Sequence, residues 1–167
     1  MATSYTLIDS YEATGSVASI EFSAIAPNWT DLKVVWSTRI SAASTSGNDI
    51  ISINGSSASF TGRRLYGSGS GGGSSDTVTT WAGFNSGNNG TASTFGNTEI
   101  YFPNAFGSTY KSYSIDTVQE QNGTIAYSAI SAGLWSDTDA ITSITLTPDA
   151  GSYVQYSTAY LYGISNS

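Results

Sequence analysis

Two residue types that carry much of enzyme chemistry are missing from this chain of 167 residues, which has no cysteine and no histidine. Without a thiol the chain can form no disulfide, no thiolate nucleophile and no zinc–sulfur or iron–sulfur site. Without an imidazole it has no Ser-His-Asp triad, no histidine general base and almost no means of holding a transition metal. We therefore expect no cofactor, no metal site and no catalytic residue of these kinds.

Charge is also scarce. Only 10% of the residues are charged, against about 25% in ordinary soluble proteins. Five basic residues stand against twelve acidic ones, for a net charge of −7. A nucleic-acid-binding surface needs several phosphate contacts from Lys and Arg, so DNA and RNA are not expected as partners. No apolar run approaches the length of a membrane span, and Met1–Tyr5 has no feature of a signal peptide, so no membrane partner is expected.

The carboxylates are the remaining acid–base groups, and their spacing does not predict catalysis. Asp116 and Glu120 share one face of a predicted strand, which places their backbones about 13 Å apart. The two catalytic carboxylates of a glycosidase lie about 5–9.5 Å apart. The segment 136–139 resembles half of a calcium-binding loop, but it lacks the glycine and the closing glutamate of that motif, which favours an Asx turn. We expect that the chain is not an enzyme.

Alternation of apolar and polar residues with a period of two dominates the chain and predicts β-strands. In the clearest case Leu32, Val34 and Trp36 form one face of a strand whose other face holds Lys33 and Arg39. Many short strands separated by turn residues predict an all-β fold, a two-sheet antiparallel sandwich that is jelly-roll-like, as a single domain over residues 1–167. The predicted strands are residues 4–9, 16–24, 31–41, 48–54, 58–66, 76–83, 97–103, 110–120, 124–135, 141–147 and 152–164.

Turn residues mark the ends of these strands. Asn54-Gly55 and Asn122-Gly123 suit the positive φ angles of a type I′ turn, so each predicts a β-hairpin. The stretch Gly67–Ser75 contains only glycine and serine and is predicted to be a flexible surface loop. The predicted core, taken from the apolar strand faces, is Ile20, Phe22, Val34, Trp36, Ile51, Ile53, Ile100, Phe102, Ile144 and Leu146.

Two groups of residues are candidates for partner contact. Arg63 and Arg64 form the only basic doublet in an acidic chain. They could bind an acidic surface of a partner, or they could be ion-pair partners for nearby carboxylates of the same chain. Exposed tyrosines on a sheet face suit protein interfaces or sugar stacking, although burial in the sandwich is the alternative for most of them. The tyrosines in question are Tyr101, Tyr110, Tyr156, Tyr160 and Tyr162.

Five stretches of the sequence together resemble a known family. They are Leu32–Arg39 (LKVVWSTR), Gly62–Gly67 (GRRLYG), Glu99–Asn104 (EIYFPN), Gly133–Thr138 (GLWSDT) and Gln155–Gly163 (QYSTAYLYG). The chain is similar through them to a family of small β-rich virion structural proteins that are common in tailed phages of aquatic bacteria, including cyanophages. The resemblance spans nearly the whole chain and is weakest at residues 67–94.

This resemblance implies a virion structural protein without catalytic residues. By analogy with small β-rich phage proteins of this size, the expected function is that of a capsid decoration or cement protein that stabilises the head. The expected partners are the major capsid protein and the chain itself as a homotrimer, because capsid lattices offer three-fold positions. The protein would be made in the host bacterial cytoplasm and located on the capsid surface of the virion. The alternative is a tail-associated receptor- or carbohydrate-binding module.

Overall fold

The computed structural model describes residues 4–69 and 73–165, and every regular element in this part of the chain is a β-strand. The strands are β1 (Ser4–Glu12), β2 (Ile20–Phe22), β3 (Asp31–Thr38), β4 (Ser46–Ile53), β5 (Phe60–Gly67), β6 (Ser74–Val78), β7 (Trp81–Ser86), β8 (Gly96–Phe102), β9 (Lys111–Gln119), β10 (Tyr127–Trp135), β11 (Ile144–Pro148) and β12 (Thr158–Ser165).

The strands form two antiparallel sheets of unequal size. The larger sheet has eight strands in the order β1-β12-β3-β8-β9-β10-β5-β6, and the smaller has four in the order β2-β11-β4-β7. Strand β7 packs beneath β8 and β9, so that the small sheet covers one face of the large one. The predicted all-β, two-sheet antiparallel sandwich is confirmed.

The period of two in the sequence places the core correctly. Along β3, Leu32, Val34 and Trp36 are buried, while the intervening Lys33 is only half-buried. All ten residues of the predicted core are buried in one hydrophobic cluster that joins the two sheets. Burial of each large apolar side chain contributes about 1.5–3 kcal/mol, so the alternating faces account for the sandwich.

One of the two predicted hairpins is confirmed. Strands β9 and β10 pair from Gln119 opposite Tyr127 to Lys111 opposite Trp135. The connection, however, covers residues 120–126, and the positive φ there belongs to Asn122 (55°). The connection is therefore a longer loop and not the two-residue turn that Asn-Gly predicts.

The other predicted hairpin is wrong, although its turn is correct. Asn54 and Gly55 have the expected positive φ angles of 52° and 73°. Strand β4 nevertheless pairs with β11 and β7, whereas β5 pairs with β10 and β6, so the turn passes the chain from the small sheet to the large one. The Asn54 side chain holds this corner by accepting hydrogen bonds from the backbone N–H groups of Thr142 and Ser143.

The largest further differences from the predicted strands occur at three places. Residues 76–83 are two strands in different sheets, since the chain turns a corner between Val78 and Trp81. The last strand begins at Thr158 and not at residue 152, because Tyr156 has a φ of 71°, which a strand cannot contain. Of the strand predicted over residues 16–24, only residues 20–22 form a strand in the structure. The predicted Gly/Ser loop over 67–75 is shorter in the structure, since Gly67 ends β5 and Ser74 begins β6, and residues 70–72 are outside the described part of the chain.

Candidate functional site

The surface that stands out is the face of the eight-stranded sheet that points away from the small sheet, here called the docking face. Two rows of side chains cross it from β1 to β5, each residue lying opposite the next on the neighbouring strand. The first row is Leu7, Tyr162, Lys33, Tyr101, Ser114, Ala132 and Arg63. The second row is Ser10, Tyr160, Val35, Glu99, Asp116, Ile130 and Leu65.

The docking face carries most of the exposed large apolar side chains of the described residues. Six of the nine lie on it: Tyr5, Leu7, Leu65, Val118, Ile130 and Tyr160. Leu65 and Ile130 lie directly opposite each other and are 57% and 58% exposed. Isolated exposed apolar residues are ordinary, but their concentration on one face is typical of an interaction surface.

The apolar residues form two patches. The tyrosine patch (Tyr5, Leu7 and Tyr160) lies on β1 and β12 at one end of the sheet, and the leucine–isoleucine patch (Leu65, Ile130 and Val118) lies on β5, β10 and β9. Between them Lys33 forms an ion pair with Glu99 at 2.8 Å. Each patch is therefore separate, with a charged strip dividing them.

A groove of about 550 Å³ runs along the second patch and contains charges of both signs. Leu65 and Ile130 line it together with Arg63, Glu99 and Asp116. Arg63 donates to the backbone carbonyl of Gly62 at 3.0 Å and forms no ion pair with a described residue. Asp116 lies directly opposite Glu99 and has no hydrogen bond or ion pair with any residue that the structure describes. The groove thus holds one unpaired cation and one unpaired carboxylate.

The structure separates the two arginines of the basic doublet. Arg63 points outward on the docking face, whereas Arg64 points to the opposite side of β5 and is only 13% exposed. Both carboxylate oxygens of Asp76 accept hydrogen bonds from Arg64, at 3.0 Å and 2.6 Å. The Arg64 guanidinium also lies over the rings of Tyr66 and Trp81. For Arg64, this is the ion-pair alternative considered for the doublet, and Arg63 alone remains available for a partner.

The pairing has an effect on Asp76 that a titration can measure. Hydrogen bonds from Arg64 lower the pKa of Asp76 below its ordinary value of 3.8 by more than desolvation raises it. We expect Arg64→Met to raise the pKa of Asp76 toward 3.8, and we expect Arg63→Met, on the other face of the same strand, to leave it unchanged. Because the folded pKa is depressed, the stabilisation is present above the unfolded pKa and is lost as the pH falls through the folded one. Carboxyl NMR titration checks this, and a wild-type pKa of 3.8 would contradict it.

A second, smaller cavity lies beside Arg64, where the ends of the two sheets meet. Its volume is about 230 Å³, and Tyr66, Phe84 and Tyr127 contribute ring surface to it. Phe84 and Tyr127 stack with their centroids 4.7 Å apart, and Trp81 meets Phe84 edge to face. Aromatic rings next to a fixed guanidinium can bind a sugar ring.

The chain also contains a buried carboxylate that the sequence analysis did not single out. Asp49 is completely buried between the sheets and accepts four hydrogen bonds. The donors are the Trp36 indole (2.7 Å), the Thr38 hydroxyl (2.9 Å), the Asn85 amide (2.8 Å) and the Tyr153 hydroxyl (2.9 Å). The signal was present in the sequence, since Asp49 shares the inward alternation of Ile51 and Ile53. With no exposed surface, this carboxylate can act only as a structural group.

The remaining acidic residues considered from the sequence lie in three different places. Asp116 lies on the docking face, while Glu120 lies beyond the end of β9 and accepts a hydrogen bond from the backbone of Asn122. The backbone N–H of Asp139 donates to the Asp137 side chain at 3.0 Å, which is the Asx turn expected there. The Lys111 amine donates to the carbonyl oxygen of Asp139 in the same turn.

The wider comparisons assign no site. No protein-family model matches the chain, and no curated protein matches it significantly. Within residues 4–69 and 73–165, no cluster of three or more acidic side chains could hold a metal ion. The same residues include no helix long and apolar enough to cross a membrane. The candidate site is therefore the docking face, on its geometry alone.

Proposed function

We propose that the chain is a phage virion structural protein, a capsid decoration or cement protein that attaches to the major capsid protein on the surface of the head. The observation that carries the proposal is the concentration of exposed apolar side chains on the docking face. The sequence resemblance described above supplies the assembly in which such a face would be used.

The docking face as a whole is large enough to take part in stable protein interfaces. Eight strands at their usual spacing make it about 34 Å wide, and strands of about eight residues make it about 27 Å long. That area, roughly 900 Å², is comparable with the ~800 Å² that each partner contributes to a stable protein interface. A cement protein needs such a surface on a rigid scaffold and needs no chemistry, which agrees with the expectation that the chain is not an enzyme.

Within the face, the tyrosine patch is the part that we assign to the capsid. Tyr5 and Leu7 are 59% and 51% exposed, and Tyr160 adds a third large side chain beside them. Aromatic residues are enriched at protein interfaces because they bury a large apolar area and still offer a hydroxyl at the rim. The protein would be made in the host bacterial cytoplasm and would add to the capsid surface. The homotrimer implied by the resemblance stays a prediction.

Quantitative mass spectrometry of purified particles, from the phage that encodes the chain, tests the proposal. A cement protein is expected at a copy number comparable with that of the major capsid protein. We expect Leu7→Glu to abolish attachment to the particle because it places a charge in the tyrosine patch, while the fold is retained. Thr147→Glu, which places the same charge at an exposed position on the outer side of the small sheet, is the control and should attach normally. Absence of the chain from the particle, or equal attachment of both variants, would refute the proposal.

A second candidate function is a tail-associated receptor- or carbohydrate-binding module. The cavity formed by Arg64, Tyr66, Phe84 and Tyr127 favours it, because aromatic rings and a fixed guanidinium can bind a sugar ring. The same mass-spectrometry experiment separates the two functions. A tail module would be present at a small fraction of the copy number of the major capsid protein.

A further inference from the structure

The leucine–isoleucine patch is self-complementary, and we infer that it pairs with the same patch on a second copy of this chain about a two-fold axis. In this arrangement Arg63 of each copy meets Asp116 of the other. The inference goes beyond the proposed function, since it concerns the purified chain by itself and would hold whatever the protein binds.

The charges on the patch give the first reason. Asp116 lies directly opposite Glu99 on the neighbouring strand, and like charges in that position destabilise a sheet. Lys33 neutralises Glu99 but leaves Asp116 without a cation. Arg63 is the unpaired cation of the same groove, yet its guanidinium donates to the carbonyl of Gly62. A carboxylate and a guanidinium that remain apart within one chain can both be satisfied by a second copy.

The register of the sheet gives the second reason. Arg63 and Asp116 are separated by two strand positions and by one row along the strands, which places their Cα atoms roughly 12 Å apart. A two-fold axis between two facing sheets, perpendicular to the line that joins these residues, exchanges their positions. The same operation brings Leu65 close to Ile130 of the other copy. Both charge pairs and both apolar contacts therefore form at once, as an isologous interface requires.

The rest of the docking face remains free in this arrangement. The patch lies at the β5 end of the sheet, whereas the tyrosine patch lies at the opposite edge, about five strand spacings away. The rotation moves the partner's tyrosine patch beyond the edge of the first sheet. The two tyrosine patches then point in opposite directions, because the paired faces point toward each other, and each stays exposed at its own end of the pair. Pairing through the leucine–isoleucine patch does predict an even number of chains, in contrast to the homotrimer that the resemblance implies.

Charge-swap variants test the inference, with light scattering after size-exclusion chromatography as the measurement. We expect the wild type to reach twice the chain mass of 17.4 kDa as its concentration rises. Arg63→Asp and Asp116→Arg should each weaken self-association by more than tenfold, because each places two like charges in contact at both ends of the interface. The double variant, which exchanges the two charges, should restore pairing.

Mixing the two single variants is the sharpest measurement. In a two-fold pair of Arg63→Asp with Asp116→Arg, both charge contacts are attractive, so an equimolar mixture should form the pair that neither variant forms alone. Glu21→Arg makes the same charge change as Asp116→Arg on the outer side of the small sheet and should pair like the wild type. Circular dichroism confirms that each variant is folded.

Several results would overturn the inference. A wild type that stays at the mass of one chain at all concentrations, or that reaches the mass of three, rules out the two-fold pair. Single variants that associate like the wild type, or a mixture that fails to pair, show that Arg63 and Asp116 do not meet. Attachment to the particle can fail or succeed independently of these results, because Leu7→Glu tests it at the other patch.

Discussion

Replacing Asp49 by alanine is expected to lower the free energy of unfolding by about 4–5 kcal/mol. The carboxylate accepts hydrogen bonds from Trp36, Thr38, Asn85 and Tyr153 in the centre of the sandwich. Without it these donors stay buried with no acceptor, and each unpaired buried group costs about 1–3 kcal/mol before the site relaxes. Chemical denaturation of the purified protein measures the loss.

The same residue gives the stability a dependence on pH. Burial raises the pKa of Asp49 above its ordinary value of 3.8 by more than the hydrogen bonds lower it. The folded protein therefore binds the Asp49 proton more tightly than the unfolded chain does. The stability that this proton contributes falls as the pH rises from 3.8 through the folded pKa. Asp49→Asn does not titrate, and its stability difference from the wild type should shrink over that range.

An exposed carboxylate provides the control for Asp49. Asp149 accepts a hydrogen bond from the Asn48 amide at 2.7 Å but is accessible to water. Asp149→Ala should cost less than about 1 kcal/mol, since water replaces the lost partner. Equal losses for the two variants would show that the buried network contributes nothing beyond an ordinary surface contact.

Replacing Arg39 by alanine is expected to cost about 2–3 kcal/mol and to loosen one particular loop. The Arg39 guanidinium is buried and donates to the backbone carbonyls of Thr91 (2.8 Å), Thr94 (3.0 Å), Asn88 (3.2 Å) and Gly90 (3.2 Å). Hydrogen bonds from the backbone N–H groups of residues 87–89 to residues 42–45 also anchor the start of this loop, but the Arg39 guanidinium is what ties its later carbonyls to the sandwich. Hydrogen exchange of the backbone amides in residues 87–94 should therefore become much faster in the variant.

Arg39→Lys separates the charge from the geometry. Lysine keeps the positive charge but presents a single ammonium group in place of a planar fork. It should recover less than half of the stability that alanine loses, and hydrogen exchange in the loop should remain fast. Full recovery by lysine, or slow exchange in the alanine variant, would show that the fan of hydrogen bonds from Arg39 does not hold the loop.

Arg39 also shows where the local sequence pattern fails to predict the structure. The sequence places it on the polar face of a strand over 31–41, but β3 ends at Thr38 and Arg39 is buried under the loop. The strand ends there because the next residues bridge to Ser86 and Tyr153, which lie far away in the chain. The alternation of apolar and polar residues continues past Thr38 without change, so it could not predict that the strand ends there.

The sheet assignment of each strand shows the same limit. The predicted strand over 76–83 is divided between two sheets, and the Asn54-Gly55 turn joins strands that do not pair. Alternation is the same in both sheets, and a tight turn has the same φ angles whether it closes a hairpin or crosses between layers. Only the packing of the whole chain distinguishes these cases.

The placement of Arg63 and Arg64 on opposite faces, by contrast, follows from the sequence. Adjacent residues of a strand point to opposite faces, and β5 was predicted nearly correctly. Applied to the doublet, the rule puts one arginine inside and one outside. The rule could not predict that Arg64 forms an ion pair with Asp76, since that pairing depends on β6 lying beside β5.

By itself, the sequence determined the all-β class, the faces of most strands and the ten predicted core residues, because alternation and burial are coupled within a single strand. The docking face was decided only by the tertiary structure. Leu7, Leu65, Ile130 and Tyr160 lie on four strands from distant parts of the chain, and their meeting on one side of one sheet follows from strand order. Strand order is fixed by which faces pack best over the whole core, and no local pattern of residues carries that information.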